Sequence, residues 1–473
     1  MAHGTKFRKT SGISTSSLQV CTDSREDRLS DLPDDIAHLI LSFLSLKEYL
    51  ILSFVSKRCR DLLLTMPSLN YDAPNRHLGR RMSRTRYMNF FDRILMHRQT
   101  NKINSLRIRW ALYRDTLYRI WTWLEVAVKC NVEVIDLEIT EGRRLQFIPP
   151  VSLLCCESLT SLTLNLNRCS FVLPFSTVGF THLQSLSIKY VKIQNDSFCE
   201  WLSTFCKSLK ELTLEHIEDV HNITIKISSL ERFFMLNPIH LCHLNVLGDM
   251  LQIIHVNWRF DSPVGKSLKI CAPNLKMLTW NGNPTNNNCV GDFIHLEGVQ
   301  LFLEPKVKAH QNLPGVLHCI RMAKDLCLHE IITQALFEKG CLPAKLENIS
   351  LSIIASGLHD DLVRAMVFLL HGMSNLKTLS IKYSSPATHK KVSGFKMNYW
   401  VSQNLKFIGQ VEVVVIELFN GDNELELAKY LLRYGKKLKK MSILHSLPLP
   451  SNIITKLNKY RKCSSTVIAP QKK

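Results

Sequence analysis

The chain has 473 residues, of which 45% are hydrophobic, and it carries 60 Lys and Arg residues against 40 Asp and Glu residues, a formal net charge of +20 at pH 7. This length allows about three domains or one long repeat array, and the hydrophobic content excludes a mainly disordered protein. No apolar run approaches the roughly 18 residues that cross a membrane, and the N-terminal residues lack a signal-peptide segment. We therefore expect a soluble protein of the nucleus or cytoplasm without a membrane partner.

The sequence contains no recognisable metal-binding, redox or catalytic motif. The fifteen cysteines are odd in number, and no two have the CxxC spacing of zinc ribbons or redox sites. Most lie beside aliphatic residues, as Cys199, Cys206 and Cys327 do, which indicates buried side chains in a reducing compartment. A phosphate-binding loop is excluded because Phe260 stands in place of its first glycine, and a zinc-protease helix because Thr333 replaces the second histidine. We expect no cofactor, no metal and no independent enzyme activity.

The positive charge is concentrated in two segments. Residues 76–109 contain ten Lys and Arg residues and one acidic residue, and residues 429–473 contain twelve and none, so the rest of the chain is close to neutral. The first segment predicts an amphipathic helix with its arginines in water, from apolar residues at Tyr87, Phe90, Phe91, Ile94 and Leu95. The second contains a basic run, Gly435–Lys440, of the kind that importins bind. Nucleic-acid binding by both segments is the less favoured alternative.

The N-terminal residues predict three short helices. Pro33 suits the first position of a helix that runs to about Leu44. Ser45 and Glu48 form a capping box that begins a second helix, and Ser56 caps a third. So small a helical unit buries little surface, and it therefore needs a neighbour or a partner.

These helices, within residues 27–72, resemble the F-box of plant F-box proteins. The resemblance rests on Leu29, Leu32, Pro33, Asp34, Ile40, Leu41, Ser42, Phe43, Leu44, Lys47, Val55, Ser56, Lys57, Arg58, Arg60 and Pro67. It implies docking onto the Skp adaptor of a cullin-RING ubiquitin ligase, and the apolar stripe of the first helix is wider than two facing helices can bury. The expected adaptor-binding residues are Leu32, Pro33, Ile36, Ile40, Leu41, Leu44, Val55 and Cys59.

Three positions depart from the usual F-box pattern. Ser45 stands where proline is usual, Cys59 stands where tryptophan is usual, and Ala37-His38 replaces a common leucine. The loss of a large aromatic side chain removes about 100 Å² of buried area, which corresponds to a few kcal/mol at about 25 cal/mol/Å². A second function is therefore open, that of a non-ligase interaction or scaffold protein with a degenerate F-box.

A repeated template follows the helices, with apolar residues at its first, fourth and sixth positions. It begins at Ile103, Val132, Leu159, Leu183, Leu209, Leu230, Leu275, Leu296, Ala323, Leu346, Leu376, Val411 and Leu438. Steps of about 20 to 30 residues are typical of leucine-rich repeats, in which each unit gives one strand to a parallel sheet. The one step of 45 residues predicts a cryptic unit at 241–246 or 251–256. The array resembles the irregular repeats of plant F-box proteins.

The C-terminal repeat has a recognisable order of elements. Residues 411–417 predict a strand, Asn423 caps a helix that Gly435 ends, and a second strand follows from Leu438. The stretch NELELAKYLLRYGKKLKKMSI resembles the FBD region of plant F-box/leucine-rich-repeat proteins. Such a region would cover the exposed end of the sheet.

The chain is thus predicted to be an α/β protein, with a three-helix F-box, a leucine-rich-repeat solenoid on a curved parallel sheet, and a strand-helix-strand FBD cap. The predicted parts are a disordered tail at 1–26, the F-box at 27–72, a basic linker helix at 73–102, leucine-rich repeats at 103–395, the FBD region at 396–447 and a basic tail at 448–473. The resemblance implies a substrate-recognition subunit of a Skp/cullin/F-box ubiquitin ligase, which is a non-catalytic adaptor.

The concave face of such a sheet is the predicted surface for a protein target. Its side chains alternate with the template leucines, and an ordinary solvated sheet face is the alternative for any one of them. On the clearest units they are Ser161, Thr163, Asn165, Ser185, Ser187, Lys189, Glu211, Thr213, Glu215, Met277, Thr279, Asn281, Thr378, Ser380 and Lys382. The mixed charge of this set predicts a protein target, whose identity the residues do not specify.

Overall fold

The computed structural model divides the chain into two units, one that ends at Leu63 and one that begins at Leu64. The described residues are 32–44, 46–72, 84–98, 101–111, 117–141, 145–173, 179–193, 197–285, 287–291, 293, 295–303, 316, 321–340, 349–384, 394–418, 422–445, 451–460 and 467–472. The tail predicted at 1–26 lies outside them.

The N-terminal unit is built from three helices, as predicted. They are α1 at Asp34–Ser42, α2 at Leu46–Val55 and α3 at Lys57–Thr65, and α3 ends in the C-terminal unit. Pro33 is the cap of α1 and not its first residue, because its ψ of 146° is extended. The Ser56 hydroxyl accepts a hydrogen bond from the Cys59 N–H at 3.4 Å, which confirms the predicted cap of α3. The proposed cap residue Ser45 lies outside the described residues.

A parallel main sheet of 17 strands forms the C-terminal unit. Its strands, numbered in chain order, are β1 at Ser68–Asp72, β2 at Ser105–Ala111, β3 at Val134–Glu141, β4 at Gln146–Phe147, β5 at Ser161–Phe171, β6 at Ser185–Ile193, β7 at Glu211–Glu218, β9 at Arg232–Leu236, β11 at Ile253–Trp258, β13 at Met277–Gly282, β15 at Gly298–Leu303, β16 at Asp325–His329, β17 at Ser350–Ala355, β18 at Thr378–Tyr383, β19 at Val413–Leu418, β20 at Lys440–His445 and β21 at Val467–Lys472. They pair in chain order, except that β4 pairs with the end of β5. This order confirms the predicted solenoid.

The repeat template locates the strands with one error. Twelve of the thirteen predicted units begin two residues before a strand, as Leu159 does before β5. The unit at Leu346 is wrong by two residues, because β17 buries Leu351 and Ile353 while Ile349 is 39% exposed. The template misses the observed register because its first position there is the polar Asn348, whereas Leu346, Ile349 and Leu351 fit the template two residues too early.

A second sheet forms the other layer in the middle of the unit. Its four parallel strands are β8 at Asn222–Lys226, β10 at His243–Leu247, β12 at Ser267–Cys271 and β14 at Asn287–Val290. The unit's helices are α4 at Arg84–His97, α5 at Leu117–Lys129, α6 at Val151–Leu154, α7 at Phe198–Phe205, α8 at Glu330–Lys339, α9 at Asp360–His371, α10 at Met397–Ser402, α11 at Asp422–Tyr434 and α12 at Ser451–Asn458. Strands therefore connect the middle repeats, and helices connect most of the others.

The short steps of the middle repeats follow from these connections. A strand advances about 3.3 Å per residue and a helix about 1.5 Å, so a strand crosses the outer layer with fewer residues. The predicted cryptic unit is present, because Leu251 leads into β11 with the template spacing. The competing match at Leu241 is also real, but it leads into β10 of the second sheet.

The first repeats enclose an aromatic core that includes the predicted basic linker helix, α4. Four rings lie with centroids 4.3 to 6.2 Å apart, namely Tyr71, Phe91, Trp110 and Trp123. Ile94 and Leu95 are buried with them, and Arg86 and Arg93 are exposed as predicted. Arg98 is an exception to the predicted wet face, because it is buried and donates a hydrogen bond to the Lys102 carbonyl at 3.0 Å.

The C-terminal elements agree with the predicted strand-helix-strand order. They are β19, α11 and β20, while the turn at 419–421 lies outside the described residues. The segment 448–473, expected to be a basic tail, contains α12 and β21, and β21 adds a further parallel strand beside β20. Because β21 pairs with β20, β20 is not an edge strand. In the described residues, β21 forms this edge of the main sheet.

Buried polar side chains in the first turn of α11 tie the last repeats together. The Glu424 carboxylate is 2% exposed and its Oε1 accepts hydrogen bonds from the Tyr383 hydroxyl at 2.6 Å and the Leu358 N–H at 3.3 Å. The Asn423 amide donates to the Leu358 carbonyl at 2.9 Å and accepts from the Phe395 N–H at 2.6 Å. Burial raises the pKa of Glu424, and its Oε2 has no hydrogen-bond partner among the described residues.

We predict that Glu424→Gln is as stable as the wild-type chain, or more stable, near neutral pH. The raised pKa means that the folded state favours the protonated carboxyl, so wild-type stability falls as pH rises from about the ordinary value of 4.5 through the raised pKa. Gln keeps the acceptor for Tyr383 and cannot ionise. Urea unfolding midpoints at several pH values measure the effect, with the exposed Asp361→Asn as a matched control. Equal pH dependence in Glu424→Gln and wild type would contradict the prediction.

Candidate functional site

Helices α1 and α2 expose an unusual amount of apolar surface. Six large apolar side chains are 42% to 82% exposed, namely Ile36, Leu39, Ile40, Phe43, Ile51 and Phe54. Four of them follow the i, i+3, i+4, i+7 spacing of one helical face along α1 and its C-cap. Exposed apolar surface of this kind marks sites of protein interaction. We call these six side chains the apolar face.

The opposite side of α1 is fixed within the unit. Ala37 and Leu41 are 0% and 1% exposed, and the His38 ring lies 3.1 Å from the Leu62 carbonyl oxygen. The Arg58 guanidinium donates to the Leu32 carbonyl at 2.8 Å, and its Nη2 donates to the Asp34 carboxylate at 2.7 Å. Since these contacts join α1 to α3, the orientation of α1 is set and its other face remains in solvent.

The predicted adaptor-binding residues divide between surface and interior. Pro33, Ile36 and Ile40 are exposed, and Leu32 and Leu44 are half-buried. Leu41 and Cys59 are buried inside the unit, so they support the apolar face and do not form it. The Val55 side chain lies outside the described part of the chain. The sequence did not predict Leu39, Phe43, Ile51 and Phe54 as part of this surface. Helix α1 is apolar on two sides, and the spacing of its apolar residues does not show which side faces α3.

Among the described residues, one face of the main sheet is not covered by a second layer, and we call it the open face. It carries the first, third and fifth side chains of most strands, while the alternate side chains are buried; Ser380 of β18 and Ser442 of β20 are exceptions that are themselves buried. In the first seven strands these side chains are polar except Val134. Their charges are matched on neighbouring strands, in pairs that include Arg107 with Asp136 at 3.2 Å, Arg109 with Glu138 at 3.3 Å, and Lys189 with Glu215 at 3.1 Å. Little net charge remains on this part of the face.

The predicted target-binding residues lie on the open face in three separate groups. The strand register aligns the residues of β5, β6 and β7 in a grid, which contains Ser161, Thr163, Asn165, Ser185, Ser187, Lys189, Glu211, Thr213 and Glu215. Met277, Thr279 and Asn281 are separated from this grid by β9 and β11. Thr378, Ser380 and Lys382 lie four strands further on, and Ser380 is 5% exposed and so unavailable to a partner.

Three pairs of rings were not predicted, two at third or fifth positions of the open face and one just after the fifth positions of β6 and β7. The Tyr190 and His216 rings are stacked with centroids 4.4 Å apart, and the Phe234–His255 and Phe302–His329 pairs each have centroids 6.3 Å apart. We call these six side chains the ring row. The search for polar side chains between leucines passed over them because β9 and β15 carry phenylalanine at open-face positions. The sequence signal was available, since Phe234 alternates with the buried Phe233 and Met235.

The basic segments do not present a continuous cationic surface in the described residues. Among the described residues, five of their cations form ion pairs with acids outside the two segments, namely Lys102 with Glu133, Arg107 with Asp136, Arg109 with Glu138, Lys429 with Glu426 and Lys439 with Glu412. The basic run Gly435–Lys440 connects α11 to β20, and its Leu438 is 2% exposed. This arrangement gives phosphate binding no support.

Metal and membrane sites were also sought in the described residues. No group of three or more His, Cys, Asp and Glu side chains there is arranged to hold a metal ion. None of the helices described is long and apolar enough to span a bilayer. Cys199 and Cys206 are buried as predicted, Cys155 is exposed and Cys327 is half-buried.

Comparisons with known proteins show what the chain is similar to. A family model described as the F-box domain matches residues 29–71, which include the three helices. A second, described as "FBD-associated F-box protein At5g56370, LRR repeats", matches residues 120–301. The F-box/FBD/LRR-repeat protein At4g03220 of Arabidopsis thaliana is 29% identical over 462 residues, which cover 89% of this chain and 90% of the relative. The chain is thus similar to plant F-box/LRR-repeat proteins over most of its length.

Two further relatives from Arabidopsis thaliana agree with this similarity. The F-box/FBD/LRR-repeat protein At5g56420 is 25% identical over 428 residues, which cover 88% of this chain and 91% of the relative. The FBD-associated F-box protein At5g56440 is 30% identical over 262 residues, or 54% of each chain. The F-box/LRR-repeat similarity thus rests on the N-terminal helices, the repeats and the FBD-containing relatives together, and the apolar face lies inside the matched F-box.

We predict that substitutions of buried and of exposed apolar side chains in α1 and α2 change the stability of the F-box by very different amounts. Leu41→Ala removes a buried side chain, so it should destabilise the F-box by about 2 to 5 kcal/mol. Phe43→Ala and Phe54→Ala remove side chains that are 82% and 77% exposed, and they should change stability by less than about 0.5 kcal/mol. Hydrogen exchange of the α1 and α3 amides in the full chain measures both. Faster exchange in Phe43→Ala, comparable to that in Leu41→Ala, would show that Phe43 belongs to the core.

Proposed function

We propose that the chain is the substrate-recognition subunit of a Skp/cullin/F-box ubiquitin ligase. In this proposal the F-box binds a Skp-type adaptor through the apolar face. The observation that carries it is that α1 and α2 hold six large apolar side chains in solvent, while the contacts of Arg58, His38 and Leu41 fix α1 in place. Large apolar and aromatic side chains are the usual core of a stable protein interface.

The mechanism in this proposal is proximity and not bond-making by the chain. The F-box anchors the protein to the ligase, and the open face of the repeats holds a protein target. The effective concentration of the target's lysines near the ligase's conjugating enzyme then rises without any catalytic group from this chain. The long main sheet suits this task because its register keeps open-face side chains in fixed relative positions over many repeats.

The alternative function is a scaffold protein whose F-box no longer binds the adaptor. Its supporting observation is Cys59, which is 7% exposed and stands where the family usually has the larger tryptophan. A smaller side chain at this position changes the packing beneath the surface and not the apolar face itself, so we favour adaptor binding. The nucleic-acid alternative has less support because cations of both basic segments are paired with acids. We place the protein in the nucleus or cytoplasm, where such ligases would meet their targets.

We predict that the purified full chain captures a purified Skp-type adaptor. The double variant Phe43→Ala/Phe54→Ala should bind the adaptor at least tenfold more weakly, because two exposed aromatic anchors are lost. Asp35→Ala is the matched control, since Asp35 is exposed on the same helix and carries no apolar surface. Surface plasmon resonance with immobilised adaptor measures all three chains.

Two outcomes would contradict the proposal in different ways. Failure of the wild-type chain to bind, when a known F-box protein binds the same adaptor surface, would favour the scaffold function. Adaptor binding that is equal in the double variant and in Asp35→Ala would mean that the adaptor uses a surface other than the apolar face.

A further inference from the structure

The charged side chains of the open face are matched at one end of the main sheet and unmatched at the other. On β2 to β9, every open-face Lys and Arg forms an ion pair with an acid on an adjacent strand, as Arg232 does with Glu211 at 2.7 Å. On β18 and β20 the open-face cations are Lys382 and Lys440, and within the described part of the chain neither forms an ion pair. A binding partner therefore finds unpaired cations at the C-terminal end of this face.

The unpaired Lys382 presents its charge across three strands. It is the fifth residue of β18, and its side chain is exposed. Its charge acts on Cys327, which lies two strands away on β16. Burial raises the pKa of the Cys327 thiol, and the Lys382 ammonium opposes this rise. The ammonium therefore lies on the open face within electrostatic range of β16.

The acid beside Lys382 does not form an ion pair with it. Glu417 follows the pair of Ile381 and Ile416 in the register of β18 and β19, which places it opposite Lys382. Its carboxylate is 3% exposed and accepts a hydrogen bond from the Tyr383 N–H at 2.9 Å. A partner on the open face would thus meet the exposed lysine and not the buried carboxylate.

Small side chains leave a depression next to Lys382. The third positions of β16, β17 and β18 are aligned in register and carry Cys327, Ser352 and Ser380. The fifth positions of β17 and β18 carry the longer Ile354 and Lys382. Ser380 is 5% exposed, and its hydroxyl has no hydrogen-bond partner among the described residues, so it forms the floor. A carboxylate in this depression can reach the Lys382 ammonium while the half-buried Ser352 hydroxyl donates a second hydrogen bond.

Exposed cations outnumber exposed acids at this end of the open face. Lys440 begins β20 and Lys377 lies directly before β18, and both side chains are exposed. Among the described open-face side chains of β15 to β20, the only exposed acid is Asp325, the first residue of β16. It is separated from the level of Lys382 by four residues, or about 13 Å along the strands. The surroundings of Lys382 therefore attract an anionic side chain and repel a cationic one.

We propose that the C-terminal end of the open face binds an acidic segment of the target protein, with Lys382 paired to one of its carboxylates. The inference rests on the proposed function, in which the open face holds the target. Charge complementarity sets partner choice more than affinity, so Lys382 is a specificity-determining residue. The polar grid of β5 to β7 discriminates less, because an arriving charge there must displace an existing ion pair.

Subtractive selection of peptides on the full chain tests the proposal. A phage-displayed library of random 12-residue peptides is first depleted on the immobilised Lys382→Glu chain, which removes peptides that bind elsewhere, including on the apolar face. The remainder is then selected on the wild-type chain. We expect the enriched peptides to contain Asp or Glu at a shared position. A synthetic copy should bind at least roughly tenfold more weakly to Lys382→Met than to wild type.

Matched variants separate the loss of this one charge from other effects. Lys226 is also the fifth residue of a strand, is exposed and forms no ion pair in the described residues, but it lies on the second sheet. Lys226→Met should therefore bind the peptide as wild type does. Lys382→Arg keeps the positive charge and should retain the affinity within about threefold, which distinguishes loss of charge from misfolding. A peptide with the shared acid changed to Lys should bind Lys382→Glu more tightly than it binds wild type.

Several outcomes would overturn the proposal. They are enrichment of no peptide, enrichment of peptides without a shared acid, and equal binding by Lys382→Met and wild type. A single-stranded RNA of 12 nucleotides is the counter-probe, and Lys382-dependent RNA binding without selection of an acidic peptide would overturn the proposal in favour of a nucleic acid. Adaptor capture by the same preparations separates the two proposals. Peptide binding without adaptor capture refutes the ligase function alone, and adaptor capture without selection of an acidic peptide refutes this inference alone.

Discussion

The C-terminal unit depends on one constraint, that each repeat must bury its alternate apolar side chains against the repeats beside it. A single strand with two or three inward side chains, such as Leu162 and Leu164 of β5, cannot cover them alone. Stacking in parallel register covers them on both sides and leaves the other side chains of every strand on one open face. The open face is thus a direct by-product of how the core is covered.

The same constraint explains what could be predicted from the sequence. The template of buried positions repeats in every unit, so twelve of thirteen predicted starts led to strands and the solenoid could be expected. The outer layer was harder to predict. The sequence indicates that β8, β10, β12 and β14 are strands and not helices only through the shorter steps between the repeats. The predicted register of β17 was wrong because the first template position of the observed register is the polar Asn348, which the template does not match. Strand β1 was not predicted because it lies in the range assigned to the F-box.

The candidate sites were less predictable than the fold. For the F-box, the apolar stripe of α1 was visible, but only the positions of Arg58 and His38 show which side meets α3 and which meets solvent. For the open face, a search guided by regular leucine templates favoured the polar grid. Two of the three ring pairs lie on the less regular strands β9 and β15 and their neighbours, and their pairing depends on which strands are adjacent in space.

The two sheets of the middle repeats have a consequence for how this surface can change in evolution. Where a helix connects two strands, an inserted residue can be absorbed by a loop or by an added fraction of a turn. Where β8, β10 and β12 connect them, both layers alternate with a period of two, and one inserted residue within a strand would turn core side chains outward. The segment around His255 is therefore open to substitution but closed to insertion, whereas the helix-connected ends of the array can vary in length.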